Sequence, residues 1–306
     1  TAPDLATFAW LRVAQGIFMA AAFTLTMAYL AEQCSAKDTA SALAAYITGG
    51  VASNLVGRIM SGSIADYFGL ATNFYAFATL NLAGAVLVLL SIQRTTPMAA
   101  VGSATRSAFS SWITHLRNPQ LRATFAIGFC ILFAFVGTYT YVNFVLAREP
   151  IALSAMSLGF VYLVFLPSLF TTPVAGRVAI RLGARQTLWG ALAVAGVGLP
   201  MLLLPSLVGV LVGMTLIGVG TFFAQATATG YIGRAAATDR AAASGLYLAS
   251  YYFGGLSGAA VLGQLFDGFG WGACVAGIGA VLLIAALLAR PLALTMTAQP
   301  AVATAA

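Results

Sequence analysis

The sequence predicts an all-α polytopic membrane protein with nine spanning helices, and three observations carry the prediction. Of 306 residues, 7% are charged and 61% hydrophobic, whereas a soluble domain carries about 25% charged residues to cover its surface. Apolar runs recur along the whole chain, each long enough to cross a hydrocarbon core about 30 Å thick. The runs are rich in Ala, Leu and Gly and do not alternate in hydrophobicity. Where no water satisfies the backbone only helices or closed barrels span, and this pattern selects helices.

In chain order the spans fall at 6–31, 40–64, 72–92, 122–146, 153–175, 187–204, 207–232, 241–265 and 272–289. Turn or charged residues mark the joints: Lys37-Asp38, Asp66 to Gly69, Arg148-Glu149-Pro150, Asp239-Arg240 and Asp267 to Gly270. Pro205 separates two runs that would otherwise fuse. The net charge of +7 is not gathered into a nucleic-acid patch. Eleven of the 14 basic residues lie in alternate joints and the tail, from Lys37 to Arg290, and the opposite joints hold only Arg148. The positive-inside rule puts the first set, and the C-terminus, in the cytoplasm.

The longest joint, 93–121, divides the chain into a three-helix part (1–92) and a six-helix part (122–290), followed by a flexible tail (291–306). Within the joint Phe109, Trp112, Ile113 and Leu116 follow helical spacing beside Arg106 and Arg117. That predicts either a short amphipathic helix on the cytoplasmic membrane face or a solvated linker. Shifting the sequence by 201 residues overlays Asp38–Gly69 on Asp239–Gly270. Ten of those 32 positions are identical, and both copies end in Gly followed by Asp-x-Phe-Gly. Both copies start on the cytoplasmic side, so the repeat is parallel. The span at 6–31 maps onto 207–232, but the three spans over 122–204 have no earlier counterpart. The chain starts Thr1-Ala2-Pro3-Asp4, with no initiator Met, basic leader or cleavage site. The expectation is a twelve-helix protein of which helices four to twelve are present.

Arg12, Gln15 and Gly16 form Arg-x-x-Gln-Gly inside the first run, followed by Ala20. Residues 176–185 read Gly-Arg-Val-Ala-Ile-Arg-Leu-Gly-Ala-Arg. Gly49, Gly50 and Gly57 keep part of a glycine-rich fifth-helix motif, with Asn54 where that motif has proline. With the stretch Leu132–Leu146, these motifs resemble the major facilitator superfamily, over about residues 5–290. The last stretch is similar to the seventh helix of bacterial arabinose-efflux-permease-type transporters. The resemblance implies two six-helix bundles around a central cavity, alternating access by rocking, and a conformational loop made by Gly176, Arg177, Arg181, Gly183 and Arg185.

Intramembrane cations are costly, so they mark partners or wet cavities. Arg12 either snorkels or lines the cavity. Arg58, six residues from the end of its predicted span, either binds an anionic group or anchors the helix against Asp66. Tyr46, Asn54 and Arg58 share a face, as do Tyr139 and Asn143, and Tyr247 and Tyr251; Gln225 lies mid-helix. As a group they predict a polar-aromatic cavity, and singly each also fits interhelical hydrogen bonding. Gly254, Gly255 and Gly258 are expected to let helices approach closely. Every carboxylate lies at a helix end or in a loop. The single histidine, His115, is expected in a solvated loop, and Cys34, Cys130 and Cys274 have no metal or redox spacing.

No His-Glu-x-x-His, paired aspartates or Ser/His dyad lies within the spans, so an intramembrane enzyme is set aside. The expected function is a secondary transporter of a small organic solute, of drug or sugar type, exported in exchange for protons. The alternatives are an importer or uniporter of the same fold, and a non-transporting receptor. No cofactor or metal is expected; the lipid bilayer is the other partner, and the protein is expected as a monomer in a bacterial inner membrane.

Overall fold

Three glycines make the tightest corners of the chain. Gly69, Gly183 and Gly270 have φ of 82°, 85° and 79°, a region glycine enters without the steric penalty of a Cβ. Their ψ values, 167°, 153° and −175°, are all extended. A computed structural model of the chain describes residues 4–33, 36–92, 108–236 and 240–292. Side chains are described except at 23–24, 27–28, 30–48, 51, 108–110, 155 and 240–241. Tyr46, Cys34, Lys37, Asp38, Arg106, Phe109 and Asp239 fall outside that description.

The described residues are helical and contain no strand. The elements are α1 (Leu5–Gln33), α2 (Ala36–Ser91), α3 (Ala108–Arg117), α4 (Pro119–Leu146), α5 (Ala155–Val161), α6 (Leu166–Thr171), α7 (Ala175–Leu182), α8 (Ala184–Met201), α9 (Leu207–Ala235) and α10 (Arg240–Leu288). Short 3-10 turns join α5 to α6 and α6 to α7. Six helical stretches among the described residues are long and apolar enough to cross a membrane. Two of them, in α2 and α10, are each folded at a glycine, which makes this an all-α polytopic membrane protein.

The helix starts follow local chemistry. Asn118 Oδ1 accepts from the N–H groups of Gln120 and Leu121 at 2.9 and 3.3 Å, with Pro119 next in line. Ser206 Oγ accepts from Gly209 N–H at 3.2 Å. Asp4 accepts from Thr7 N–H at 2.6 Å, and that bond holds its carboxyl below the usual range. Each satisfies donors that a helix N-terminus leaves unpaired.

The span expected at 153–175 is corrected in two ways. It runs on to Leu182, and it is not one α-helix but α5, α6 and α7 with 3-10 turns between them. Pro167 and Pro173 sit at the starts of α6 and the second 3-10 turn; each lacks the N–H that an uninterrupted ladder needs. The residues expected to form a loop at 176–185 are also corrected. Gly176, Arg177 and Arg181 lie on α7, Gly183 is a one-residue corner, and Arg185 begins α8.

The chain forms two compact units, one of residues 1–93 with 155–162, the other of 94–154 with 163–306. In the first, α2 folds back on itself at Gly69. Asn73 Nδ2 donates to Ser61 Oγ at 2.8 Å, and a Cβ on Gly57 would stand 3.8 Å from the Phe77 ring. In the second, α10 folds at Gly270, and Cys274 Sγ donates to the Leu262 carbonyl at 3.1 Å. Ser61 and Leu262, and Asn73 and Cys274, are each 201 residues apart. The repeat therefore preserves hairpin register as well as residues.

Asp66, expected just beyond its helix, lies in the last turn before the Gly69 corner. Its Oδ2 accepts from the Met156 N–H at 2.8 Å, in the first turn of α5. Asp66→Ala is expected to cost about 0.5–2 kcal/mol, the usual range for a lost N-terminal cap, read as a lower melting temperature of the purified protein. Asp66→Asn, which keeps an acceptor oxygen, should cost less.

The core of the second unit runs between α4, α8, α9 and α10, with Phe125, Ile131, Leu188, Ala224, Tyr247 and Leu262 among its buried residues. Glycines set the closest approaches. A Cβ on Gly258 would stand 2.6 Å from the Phe133 carbonyl oxygen, and one on Gly254 would collide with the Phe129 carbonyl. Gly198 and Gly213 each face the other's carbonyl at 2.7 Å from the Cβ position. Side-chain donors then stitch helix to helix through backbone carbonyls. Ser250 donates to Phe125 (2.9 Å), Trp189 to Ala286 (2.8 Å) and Trp271 to Leu202 (2.9 Å). Small residues and polar stitches drive helix association where hydrophobicity cannot.

α3 is a helix, with Trp112, Ile113 and Leu116 exposed. His115, expected to be solvated in a loop, is instead buried at 4% exposure on the inner side of α3. Ser111, one turn before it on the same face, is half-buried, while Trp112 and Leu116 to one side of that face are exposed.

Candidate functional site

Arg12 and Arg58 lie within long apolar helices of the first unit, and both are held in the same way. Arg12 Nη1 donates to Gln15 Oε1 at 2.7 Å, one turn along α1. Its guanidinium lies 5.6 and 5.8 Å from the ring centroids of Phe8 and Phe74, which meet edge to face at 5.9 Å. Arg58 Nε donates to Asn54 Oδ1 at 2.9 Å, one turn back along α2. Its guanidinium lies 4.0 Å from the centroid of Tyr162. Each cation thus has an amide acceptor on its own helix and an aromatic face from another segment, a pairing that is strongest away from water. Among the described residues neither is paired with a carboxylate.

The depth of Arg58 differs from the sequence expectation. Because α2 continues to the Gly69 corner, Arg58 is eleven residues from the turn, about 16 Å at 1.5 Å per residue. Arg58 is half-buried, and that distance exceeds the reach of its own side chain to the Gly69 corner. No Arg58–Asp66 contact forms; Asp66 is engaged with Met156. Behind the arginine, Gly159 brings α5 against α2, its Cβ position 3.1 Å from the Arg58 carbonyl oxygen. That close approach carries the neighbouring Tyr162 ring to the guanidinium.

In the second unit, Tyr139 is buried and donates to the Met214 carbonyl at 2.5 Å. Asn143 Nδ2 donates to the Tyr139 carbonyl at 2.7 Å. Around Tyr139 stands an aromatic cluster that the sequence reading did not single out. Phe135 lies 4.6 Å from the Tyr139 ring and Phe165 4.7 Å, with Phe222 at 5.1 Å from Phe135. Gln225 is half-buried on α9. Tyr247 and Tyr251 stack at 6.0 Å and are both buried. The Tyr247 hydroxyl approaches Thr229 without closing a hydrogen bond. Of the cationic motif on α7 and α8, Arg177 and Arg181 are exposed, and Arg185 lies 5.4 Å from the Trp189 ring.

The structure thus joins Arg12 to Gln15, Arg58 to Asn54, Tyr139 to Asn143 and Tyr247 to Tyr251. Phe8, Phe74 and Tyr162, which complete the arginine sites, carried no sequence signal beyond being aromatic. Among the described residues no group of His, Cys, Asp and Glu is arranged to hold a metal ion.

Comparison with known proteins fits this arrangement. The sequence pattern of the Major Facilitator Superfamily matches the chain twice, over residues 1–166 and 149–305. The chain is 28% identical over 291 residues to the "Uncharacterized MFS-type transporter YybF" of Bacillus subtilis (strain 168), covering 95% of this chain and 72% of that protein. It is 28% identical over 278 residues to the "Inner membrane transport protein YnfM" of Escherichia coli (strain K12), covering 91% and 67%. It is 26% identical over 262 residues to an "Uncharacterized transporter" of Buchnera aphidicola subsp. Schizaphis graminum (strain Sg), covering 86% and 62%. All three relatives carry transport names. The chain belongs to the Major Facilitator Superfamily.

Proposed function

We propose that the protein is a secondary active transporter that exports a small organic solute in exchange for protons, by alternating access between two helical bundles. The observation that carries the reading is the pair of arginines within apolar spans, each held by an amide and an aromatic ring with no carboxylate among the described residues. A cation kept within an apolar span at that cost marks a solute or ion path. The spans are read as helices four to twelve of twelve, with support from the repeat at 201 residues. The distribution of basic residues supports a cytoplasmic C-terminus. The relative named as an inner membrane transport protein supports an inner-membrane location. We read the protein as a monomer whose cavity residues are Arg12, Gln15, Tyr46, Asn54, Arg58, Tyr139, Asn143, Gln225, Tyr247 and Tyr251.

A second reading, import or uniport, has one specific observation behind it. Asn54 stands where the glycine-rich fifth-helix motif, which in the family belongs to antiporters, has proline, and α2 keeps helical geometry through it, departing only at Gly69. Inverted vesicles holding the full-length protein separate the two. Proton antiport predicts that solute uptake stops when the pH gradient is collapsed; uptake that continues unchanged assigns uniport.

A further inference from the structure

The guanidinium of Arg58 is held on two sides, and its fork meets no partner among the described residues. Nε is committed to Asn54 and one face to Tyr162, whose ring is 4% exposed. The two terminal amino groups, four N–H donors in a fixed plane, meet no acceptor among the described residues. The Asn54 Nδ2, whose partner oxygen is already used, adds further donors beside them. Arg12 differs, because there a terminal nitrogen is spent on Gln15.

Among the described residues the site is therefore rich in donors and lacks an acceptor. The carboxylates with described side chains do not supply one. Asp66 is bound to Met156, and at eight residues along α2 it is about 12 Å away. Asp4 is bound to Thr7, and neither Glu149 nor Asp267 pairs with an arginine. Two parallel N–H donors in a plane match the two oxygens of a carboxylate better than any neutral group.

We infer that Arg58, Asn54 and Tyr162 form a subsite for the carboxylate, or an isosteric planar oxyanion, of an organic solute. Arg58 supplies the fork, Asn54 fixes its orientation, and the Tyr162 ring walls one side of the cation. The inference rests on the transporter reading and narrows its substrate class to organic anions.

The test is thermal unfolding of the purified full-length protein with benzoate, benzamide or benzylamine at one shared millimolar concentration. These probes share a ring and differ in charge. Benzoate is expected to stabilise the wild type and the other two are not. Arg58→Gln should weaken benzoate about ten- to hundredfold, the value of a hydrogen bond to a charged group. Arg58→Lys, a point charge without the fork, should retain part of the effect. Equal stabilisation by benzamide or benzylamine overturns the inference, as does a benzoate effect that survives Arg58→Gln. Failure of all three probes also overturns it. Binding is read here without flux, so a negative result leaves the transport reading to the vesicle assay.

Discussion

Replacing Gly258 by leucine is expected to break the seat of α10 on α4. The new Cβ alone would stand 2.6 Å from the Phe133 carbonyl oxygen and 2.8 Å from its Cα. Both are backbone atoms on a packed helix, so no side-chain rotation relieves the contact. Overpacking costs about 1–3 kcal/mol where side chains can adjust, and here the helices themselves must separate, so the upper end or more is expected. Gly268→Leu is the control, because a Cβ there has nothing within 4 Å. Thermal unfolding in detergent should show a large drop in melting temperature for Gly258→Leu and little change for Gly268→Leu.

The second large effect is at Tyr247. This residue is 1% exposed, its ring lies against Gly128 of α4, 2.5 Å from that glycine's Cβ position, and it stacks on Tyr251. Tyr247→Ala should cost about 3–5 kcal/mol, the range for emptying a large buried aromatic site. Tyr247→Phe should change stability by less than about 1 kcal/mol, because the hydroxyl closes no hydrogen bond that deletion would break. Melting temperatures of the two variants decide whether the ring or the hydroxyl matters. A large loss in Tyr247→Phe would show that the hydroxyl is engaged.

Much of the fold was legible because hydropathy reports which residues face hydrocarbon. The long helices α1, α4 and α9 lie where the apolar runs are. The shared Asp-x-Phe-Gly endings were also informative. They mark the Gly69 and Gly270 corners, whose dihedral angles nearly coincide. Hydropathy says little about how far a helix continues past the apolar run, so α2 and α7 outran their expected ends. It is equally silent on the breaks at Pro167 and Pro173, since a 3-10 turn is as apolar as an α-turn. Burial of His115 escaped notice because one polar residue facing inward leaves no periodic signal.

At the candidate site the sequence showed only contacts along one helix. Arg12 with Gln15 and Arg58 with Asn54 follow from helical spacing. The rings of Phe74 and Tyr162 come from segments 62 and 104 residues away in sequence, and only folding brings them to the cations. Tyr139, Tyr247 and Tyr251 read as polar in sequence. Their burial among helices shows phenols that serve packing through the ring, and Tyr139 also serves the Met214 carbonyl through its hydroxyl.

The central claim is that this fold carries a small organic solute across a bilayer. The most direct measurement reconstitutes the full-length protein in vesicles loaded with a mixture of organic anions, cations and neutral solutes. Mass spectrometry then identifies what leaves. Protein-dependent release of one class, reduced by Arg58→Gln in a protein that still melts like the wild type, is the predicted result. A folded protein that releases no solute above protein-free vesicles would contradict the account.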